Sequence, residues 1–335
     1  SDFRQQNLQN APVSMSVLTD IDIKQRNAKH LEELIAVSPN VNFASGSQRA
    51  RYYQIRGIGE RSQFQETINP SVGVIIDEVD FTGVGSVASL FDVKQAEVFR
   101  GPQGTRFGAN AIAGMINITT NEPTDDFEGA LQLGIGNYNS YDLGVALSGP
   151  ATDSVNYRLA VNQHSSDGFT ENVYLQRDDT NNRDELSVRG KLAIAVTNDL
   201  TIDLAGFYFD FDNGYDVFSL DNNRETLSDE PGFDSQETKA FSAKFTYKGF
   251  DSVTVLAIVS NAIHLLMNTI ARNQYSLLSY ECFLIMAKRF LMVVLLGLPA
   301  CTLKKMMKIY CVNILIIRLT SPQLIPVKVL PLMDS

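Results

Sequence analysis

The most regular pattern in the chain is an alternation of apolar and polar residues that begins after Pro123. One run alternates with polar or small residues at Tyr141, Leu143, Val145 and Leu147. A period of two is typical of β-strands that have one apolar and one polar face. The pattern predicts seven strands, at about 129–136, 141–148, 155–162, 186–196, 200–209, 239–247 and 252–259.

Two architectures share this alternation. A soluble β-sandwich buries the apolar faces of its strands, whereas a membrane barrel turns them to lipid and keeps the polar faces in the lumen. The connections favour the barrel, because short links around 149–154, 197–199 and 248–251 alternate with long acidic links at about 165–184 and 210–236. Outer-membrane barrels place short turns on one side and long loops on the other. The short link at 137–140 departs from this rule.

The first 122 residues have a different pattern, with short apolar runs between polar loops that contain glycine. One run predicts a helix from about Ala28 to Val37, with Asn27 as its N-cap. The others predict short strands, at about 13–17, 52–56, 72–79, 97–100 and 115–119. Residues 1–122 are therefore predicted to form a small α+β domain.

Composition changes abruptly near residue 262. Residues 263–335 contain all three cysteines, six of the eight methionines and one of the 22 glycines. They carry eight basic and two acidic residues, against 20 basic and 36 acidic residues before them. Their apolar runs show no period of two and are too short to cross a bilayer as helices. We expect an aberrant, non-barrel tail that is translated out of frame from a truncated or frameshifted gene; a helical anchor is the alternative.

Charge and motifs exclude several functions. The net charge of −10 argues against nucleic-acid binding, because phosphate contacts need a basic face. Residues 1–262 contain no cysteine, which fits an exported protein without disulfides. No signal peptide is visible in the first 20 residues. The chain has no HExxH, paired-cysteine or nucleophile-elbow motif, so we expect neither a metal site nor an enzyme.

One stretch is far more specific than these patterns. Residues 97–123 read EVFRGPQGTRFGANAIAGMINITTNEP, and the motifs upstream of them are NAPVSMSVLT (10–19), SPNV (38–41), YQIRGIG (53–59) and PSVGVIIDEV (70–79). Together and in this order, they resemble the plug domain of TonB-dependent outer-membrane receptors. The resemblance covers about residues 10–122, while residues 127–262 are similar to the family only in their alternation.

The resemblance implies both a fold and a function. Residues 1–122 would form a plug inside a barrel, and residues 123–262 would supply about seven of its 22 transmembrane strands. Such receptors import a scarce nutrient, such as an iron–siderophore chelate, haem or cobalamin, across the outer membrane of Gram-negative bacteria. The implied partners are that ligand, membrane lipid and the TonB energy-coupling complex, with no cofactor. We recognise no TonB box in residues 1–12 and expect it upstream.

The resemblance also implies which plug residues contact the ligand. They lie in three apical loops, at about 42–52, 59–69 and 80–87. Arginine and aromatic side chains there suit an anionic, partly aromatic chelate. The candidates are Arg49, Arg51, Tyr52, Arg61, Gln63, Phe64, Gln65 and Phe81. Ordinary solvated loop residues are the alternative.

Two further arginines match family residues that pair with barrel glutamates. Arg56 and Arg100 are implied to lock the plug to the barrel, since a buried guanidinium needs carboxylate partners. We expect those partners in strands that this chain lacks; a local pair of Arg100 with Glu97 is the alternative. The motif residues implied to shape plug turns are Gly57, Gly101, Pro102, Gly104, Gly108 and Gly114. They are not followed by the lysine and serine of a phosphate-binding loop.

Two functions from different classes follow from these patterns. The first is a fragment of a nutrient-uptake receptor, and the alternative is a soluble β-rich ligand-binding or adhesion module. Seven strands alone leave open edges that lipid cannot satisfy. We therefore expect this chain by itself not to transport.

Overall fold

The computed structural model describes residues 14–45, 48–61, 70–84, 89–104, 110–219, 221, 223–250, 253–269 and 288–294. An N-terminal domain with a five-stranded sheet precedes a large antiparallel sheet of eight strands. The predicted fold class, an α+β domain followed by antiparallel strands, is confirmed. None of the described helices is long and apolar enough to cross a membrane.

The N-terminal domain contains two short helices, α1 (Asp20–Arg26) and α2 (Leu31–Ile35). Its strands are β1 (Met15–Thr19), β2 (Val41–Ala44), β3 (Tyr52–Ile55), β4 (Val72–Ile76), β5 (Val79–Asp80), β6 (Val93–Arg100) and β7 (Gly114–Thr120). The sheet order is β1-β6-β7-β4-β5, and β2 pairs with β3 in a separate hairpin.

The helical region differs from the prediction of one helix over residues 28–37. Thr19 caps α1 through a capping box with Asp22, and Asn27 ends that helix in a left-handed conformation with φ 50°. His30 then caps α2, its Nδ1 accepting from the backbone N–H of Glu32 at 3.4 Å. Asn27 is therefore the C-cap of the first helix rather than the N-cap of the second.

The predicted strand over residues 72–79 is a tight hairpin. Asp77 and Glu78 have φ values of 43° and 69°, so the chain reverses between β4 and β5. Two consecutive residues with positive φ match the right-handed twist of the strands that flank them. Because Asp77 forms this turn, its carboxylate projects from the end of the domain.

The large sheet contains all seven predicted strands. They are β8 (Glu128–Ile135), β9 (Tyr141–Thr152), β10 (Val155–Ser166), β12 (Arg183–Ala195), β13 (Leu200–Tyr215), β15 (Gly232–Phe250) and β16 (Val253–Thr269). Long links at 167–182 and 216–231 leave one end of the sheet, and short turns at 153–154 and 196–199 leave the other. Within the long links, β11 (Glu171–Asn172) and β14 (Glu225–Thr226) pair in parallel.

The expected domain boundary at residue 262 does not coincide with the end of a strand. β16 continues to Thr269, which lies opposite Phe233 of β15. An eighth strand, β17 (Lys288–Val294), pairs with β16. β16 extends past residue 262 because the backbone N–H and C=O groups along the length of β15 need hydrogen-bond partners, which β16 supplies. The out-of-frame origin of the tail stays a prediction.

The N-terminal domain packs against one face of the large sheet, here called the inner face. A single apolar cluster spans both, from Leu34 and Ile116 in the domain to Phe207 and Ala262 in the sheet. The opposite, outer face exposes apolar side chains, among them Leu131, Leu133 and Phe241. The inner face therefore brings charged and aromatic side chains of the two parts together.

Candidate functional site

Buried charges lie between the N-terminal domain and the inner face of the large sheet, in two groups at different heights. The upper layer lies near the end with the long links. It pairs Lys29, Arg49 and Arg51 of the domain with Asp142, Glu185 and Asp234 of the sheet. The lower layer lies near the short turns and pairs Asp77 and Asp92 of the domain with Lys191 and Arg158 of the sheet.

Arg49 is the centre of the upper layer. Its Nε and Nη2 donate to the two carboxylate oxygens of Glu185 on β12, at 2.7 and 2.6 Å. Its Nη1 donates to Glu32 of α2 at 2.7 Å. The side chain is 2% exposed. A bidentate bond of this kind fixes both distance and orientation, so Arg49 holds the β2–β3 hairpin against β12.

Asp234 of β15 completes the upper layer. One of its oxygens accepts from Arg51 Nη2, and the other accepts from the backbone N–H of Gln48 at 3.0 Å. The Gln48 side chain reaches the carbonyl oxygen of Asn181, also at 3.0 Å. A looser pair joins Lys29 to Asp142 of β9 at 3.7 Å. The hairpin loop is therefore bound to two strands and one long link, and Lys29 joins the domain to a third strand.

An aromatic contact separates the two layers. Phe81 of the domain is fully buried, with its ring centroid 5.9 Å from Phe207 and 6.0 Å from Phe209 of β13. Both pairs are edge-to-face, which is a favoured aromatic geometry. His264 of β16 lies 5.7 Å from the same ring. This contact seals the interface between the charged layers with apolar surface.

Asp92 anchors the lower layer. Its two carboxylate oxygens accept from Arg158 of β10 at 2.8 and 2.5 Å. Asn121 donates to the same carboxylate at 2.8 Å. Asp92 has φ 56°, and among non-glycine residues Asp and Asn adopt this left-handed conformation most readily. The backbone of the turn therefore aims the carboxylate at β10.

The hairpin turn at Asp77 supplies the second lower contact. Lys191 of β12 lies 3.2 Å from its carboxylate, which also accepts from Thr120 Oγ1 at 2.5 Å. The hydroxyl of Ser242 on β15 donates to the Asp77 carbonyl at 3.2 Å. Arg189 of β12 donates to the carbonyl of Phe91. The lower layer thus binds the domain to three strands.

Charge polarity is reversed between the layers. In the upper layer the domain supplies the cations and the sheet the carboxylates, whereas in the lower layer the domain supplies the carboxylates and the sheet the cations. An inverted domain would bring like charges together inside a poorly solvated interface, which is strongly unfavourable. The two layers therefore specify one orientation of the domain.

The ion pairs shift the titration of the groups in the domain. Burial alone would raise the pKa of Glu32, but His30 and Arg49 outweigh it and lower that pKa. Burial also opposes ionisation of Asp92, and the hydrogen bonds from Arg158 and Asn121 outweigh it, so the pKa of Asp92 is lowered. Burial alone would lower the pKa of Arg49, yet Glu185 and Glu32 raise it. These groups are therefore charged at neutral pH.

The predicted ligand residues fall into three sets. Arg49, Arg51, Tyr52 and Phe81 are all buried. Arg49, Arg51 and Phe81 contact the large sheet and anchor the domain to it; their contact with a ligand stays a prediction. Arg61 is exposed, as an apical ligand residue would be. Gln63, Phe64 and Gln65 lie outside the described residues.

The two arginines predicted to lock the domain do not reach the described strands of the large sheet. Arg56 is exposed, with φ 55°. Arg100 donates to the Ser16 hydroxyl at 2.8 Å and to the Ser14 hydroxyl at 3.3 Å, so it ties β6 to β1 within the domain. The described contacts of Arg100 do not include the alternative partner Glu97, whose carboxylate accepts from Asn117 and Gln95.

The motif glycines have mixed roles. A Cβ at Gly114 would lie 2.3 Å from the Phe99 carbonyl oxygen and 2.6 Å from Ile55, so only glycine fits this approach of β6 and β7. Gly57 and Gly101 have positive φ, at 80° and 138°. Gly104 is exposed, with open space where a Cβ would point, and Pro102 is exposed. Gly108 lies outside the described residues.

Sequence reasoning missed the sheet residues of both layers. Arg158 and Lys191 occupy the polar face of a predicted strand, so the alternation already placed them on the lumen side of a barrel. Glu185 and Asp234 lie just outside the predicted strands, in or beside the predicted long links. A charge on that face needs a partner if it is buried, and this was the usable signal. Among the described residues, no group of three or more His, Cys, Asp or Glu side chains is placed to hold a metal ion.

A family model identifies the N-terminal domain. Residues 7–115 match the model of the TonB-dependent Receptor Plug Domain. This chain carries the plug domain of a TonB-dependent receptor. The predicted family is therefore confirmed. Its relatives are receptors and transporters rather than enzymes.

Curated relatives match the plug and the strands that follow it. The chain is 32% identical over 146 residues to the pesticin receptor of Yersinia enterocolitica, covering 43% of this chain and 21% of that protein. It is 30% identical over 234 residues to the ferric enterobactin receptor PirA of Pseudomonas aeruginosa, covering 61% and 31%. The vitamin B12 transporter BtuB of Photobacterium profundum is 24% identical over 214 residues, covering 63% and 35%. The chain thus spans about a fifth to a third of the length of these relatives.

Solved structures show that the domain and the large sheet together have the fold of part of a receptor barrel and its plug. The ferric yersiniabactin uptake receptor FyuA from Yersinia pestis aligns with a TM-score of 0.69 at 22% identity, covering 78% of this chain and 42% of that one. The ferripyoverdine receptor of Pseudomonas aeruginosa aligns with a TM-score of 0.64 at 17% identity, covering 81% and 37%. At these identities the likeness concerns the fold. In that fold the inner face corresponds to the lumen side, and the N-terminal domain packs against it.

Proposed function

We propose that this chain belongs to an outer-membrane importer of a small anionic chelate of the iron–siderophore class, in which the plug is the gate. The observation that supports a gate is the pair of oppositely polarised layers, which seat the plug against the lumen wall. The relatives named as ferric enterobactin receptor and vitamin B12 transporter support nutrient uptake. Haem and cobalamin are the competing ligand classes.

The layers explain why such a gate needs an energy source. Moving the plug away from β12 separates Arg49 from Glu185, and breaking a buried ion pair costs roughly 3–5 kcal/mol. The lower layer adds the separation of Asp92 from Arg158. A ligand that binds at the surface of the plug does not by itself break the ion pairs of both the upper and the lower layer. Pulling by the TonB complex of the inner membrane would supply this work.

Arg183 supports an anionic ligand. It begins β12 on the inner face, two positions above Glu185, at the mouth of the lumen. Among the described residues Arg183 forms no ion pair, and Glu185, Glu32 and Glu33 act on its charge only at longer range. A guanidinium whose N–H groups are not engaged by a carboxylate suits bidentate binding of carboxylate or catecholate oxygens. Arg61 of the plug, which is exposed, is the second cation proposed for this surface.

Cross-linking the gate tests the mechanism. The side chain of Gln48 in the plug lies 3.0 Å from the Asn181 carbonyl in the first long link. In the full-length receptor, joining Gln48→Cys to Asn181→Cys with a reducible thiol cross-linker should abolish uptake of a radiolabelled ferric chelate, and a reductant should restore it. The single Gln48→Cys variant, treated identically, is the control. Undiminished uptake in the cross-linked receptor would show that the plug does not gate.

Arg183 is tested separately by ligand affinity. Arg183→Gln should weaken binding of the ferric chelate about tenfold, which corresponds to roughly 1.4 kcal/mol. Arg177→Gln is the matched control, because Arg177 is 55% exposed in the link that precedes β12 and pairs locally with Asp179. Equal affinity of the two variants would remove Arg183 from the ligand site. Recovery of the intact receptor from the soluble periplasm would overturn the proposed outer-membrane location.

The chain by itself is proposed not to transport. Its large sheet is open, with β8 at one edge and β17 at the other among the described strands. Backbone groups of an unpaired edge have no hydrogen-bond partners in lipid. Uptake of the chelate by a receptor-deleted strain that expresses only this chain would contradict the proposal.

A further inference from the structure

A pit interrupts the apolar outer face of the large sheet. Four residues lie in one cross-strand row, because Leu159 of β10 pairs with Gly190 of β12, Gly190 pairs with Gly206 of β13, and Gly206 pairs with Phe241 of β15. Two adjacent strands thus lack a side chain at the same height. Leu159 and Phe241, which are 45% and 50% exposed, form the walls on either side.

Three usual structural reasons for glycine in a strand, namely a bulge, a positive φ and a crowding neighbour, do not apply to these two residues. The pairing of β10, β12, β13 and β15 runs through the row without a register shift, so neither glycine forms a bulge. Neither has a positive φ. A Cβ at either position would meet no atom within 4 Å, so no neighbour requires glycine. Glycine weakens a strand interior and often marks a place where a ligand approaches the backbone.

The pit is large enough for a hydrophobic ligand. Its volume is about 680 Å³, and its outer-face lining consists of Tyr157, Leu159, Leu192, Leu204, Phe241 and Ala243 beside the two glycines. Ligand sites commonly measure about 300–1,000 Å³ and are lined mainly by apolar groups. Apart from the phenol of Tyr157, these side chains offer no hydrogen bond to water. An aqueous filling is therefore disfavoured.

Polar groups border the pit on its upper side. One outward position above the glycine row, Tyr208 pairs with Lys239, whose Nζ lies 5.6 Å from the Tyr208 ring centroid. Lys239 is also paired with Glu237 at 2.6 Å. Below the row, the next outward residues are apolar. This border marks the upper edge of the apolar band, so the pit opens toward a boundary between hydrocarbon and polar groups.

We propose that the pit binds one acyl chain of a membrane lipid, with the lipid's polar head at the level of Lys239. The inference rests on the proposed membrane location of the receptor. The pit is continuous with the lipid-facing band, and the occupant available there is an acyl chain. The missing side chains at Gly190 and Gly206 let that chain lie against the backbone. The lipid is then held at one place instead of exchanging freely along the wall.

Photolabelling of the full-length receptor tests the site. The receptor is reconstituted in phosphatidylethanolamine vesicles that contain the same lipid with a diazirine on one acyl chain. The peptides that contain Leu159 and Phe241 should carry about ten times more label than the β8 peptide that contains Leu131 and Leu133. A tenfold difference corresponds to an acyl chain that prefers the pit by about 1.4 kcal/mol. Both sets of side chains are exposed on the outer face. Equal labelling of these peptides would contradict acyl-chain binding in the pit. The absence of label from all peptides would also contradict the proposed membrane location.

Filling the pit provides the matched variants. Gly190→Leu combined with Gly206→Leu should remove the preferred label, while Gly129→Leu should keep it. Gly129 lies on the outer face of β8, and a Cβ there makes an ordinary contact of 3.5 Å with Leu147. If the double variant does not fold, Ala243→Leu fills the pit from β15 and should reduce the label. Preferred labelling that survives in the folded variants, or cross-links between two copies through this row, would overturn the proposal.

Discussion

The upper and lower layers hold the same two parts of the molecule together by different means. In the upper layer, Arg49 and Arg51 extend from the β2–β3 loop to carboxylates of the barrel wall. In the lower layer, Asp77 and Asp92 have short side chains, and left-handed turns bring them to the cations of the wall. The upper contacts depend on long side chains, whereas the lower contacts depend on backbone shape. The layers should therefore respond differently to substitution.

The largest effect is expected from Arg49. Arg49→Met keeps most of the apolar stem but leaves Glu185 and Glu32 buried without their partner. Losing one member of a buried ion pair destabilises by about 3–5 kcal/mol. The free energy of unfolding of the plug, measured by denaturant titration in detergent micelles, should fall by this amount.

A double-mutant cycle supplies the control for Arg49. Combining Arg49→Met with Glu185→Gln removes the uncompensated charge on β12, so the double variant should be less destabilised than the sum of the two single variants. Strict additivity would show that the bidentate contact does not stabilise docking.

A smaller loss is expected in the lower layer. Asp92→Asn keeps a residue that tolerates the left-handed conformation but removes the charge that Arg158 binds. Hydrogen bonds to charged groups are worth about 2 kcal/mol, and the same titration should show a loss of that size. Asp92→Glu is the informative comparison, because it keeps the charge and disturbs the turn. If Asp92→Glu is the milder variant, backbone shape does not control the lower layer.

Acidification should affect docking only at low pH. The pKa values of Glu32 and Asp92 are lower in the docked plug than in the unfolded chain. The unfolded chain therefore binds protons first as the pH falls. The stabilisation is complete above the ordinary carboxyl pKa of about 4 and is lost as the pH falls through the lowered values. Unfolding midpoints should be constant from about pH 7 to 5 and decline below about pH 4; a decline that begins near pH 6 would contradict the assignment.

The smallest effect is expected at Arg56. Its side chain is exposed, so Arg56→Gln should change the free energy of unfolding of this chain by less than about 0.5 kcal/mol. In the full-length receptor the same substitution should cost more, if Arg56 pairs with a glutamate of further strands as the family resemblance implies. Equal small effects in both proteins would refute the predicted role of Arg56.

The strands were predictable and the contacts between them were not. The seven alternating runs form seven strands, because a strand with one apolar and one polar face has a sequence that alternates between the two residue types. The hairpin at Asp77 and Glu78 was missed, since apolar residues on both sides of it read as one continuous strand. β16 extends beyond its predicted end because its length is set by pairing with β15. The sequence pattern of β16 alone does not show this.

The candidate site shows the same limit more sharply. Arg49 and Glu185 are 136 positions apart, so no local pattern connects them. Arginine and aromatic residues in apical loops suit an anionic ligand, but they suit a buried anchor equally well. Burial distinguishes the two roles, and burial depends on the wall against which the plug packs. The family motif correctly identified the domain without indicating which arginines hold it in place.

The turns at Asp77 and Asp92 also restrict how these positions can change over generations. Each position requires a backbone that accepts positive φ and a short carboxylate within reach of a fixed cation. Asparagine and glycine meet the first requirement but supply no carboxylate, and glutamate supplies a carboxylate on a longer side chain. Aspartate alone meets both, so viable sequences can leave it only if the opposite lysine or arginine changes as well. The two sites should therefore vary in step with their partners on β12 and β10 when related sequences are compared.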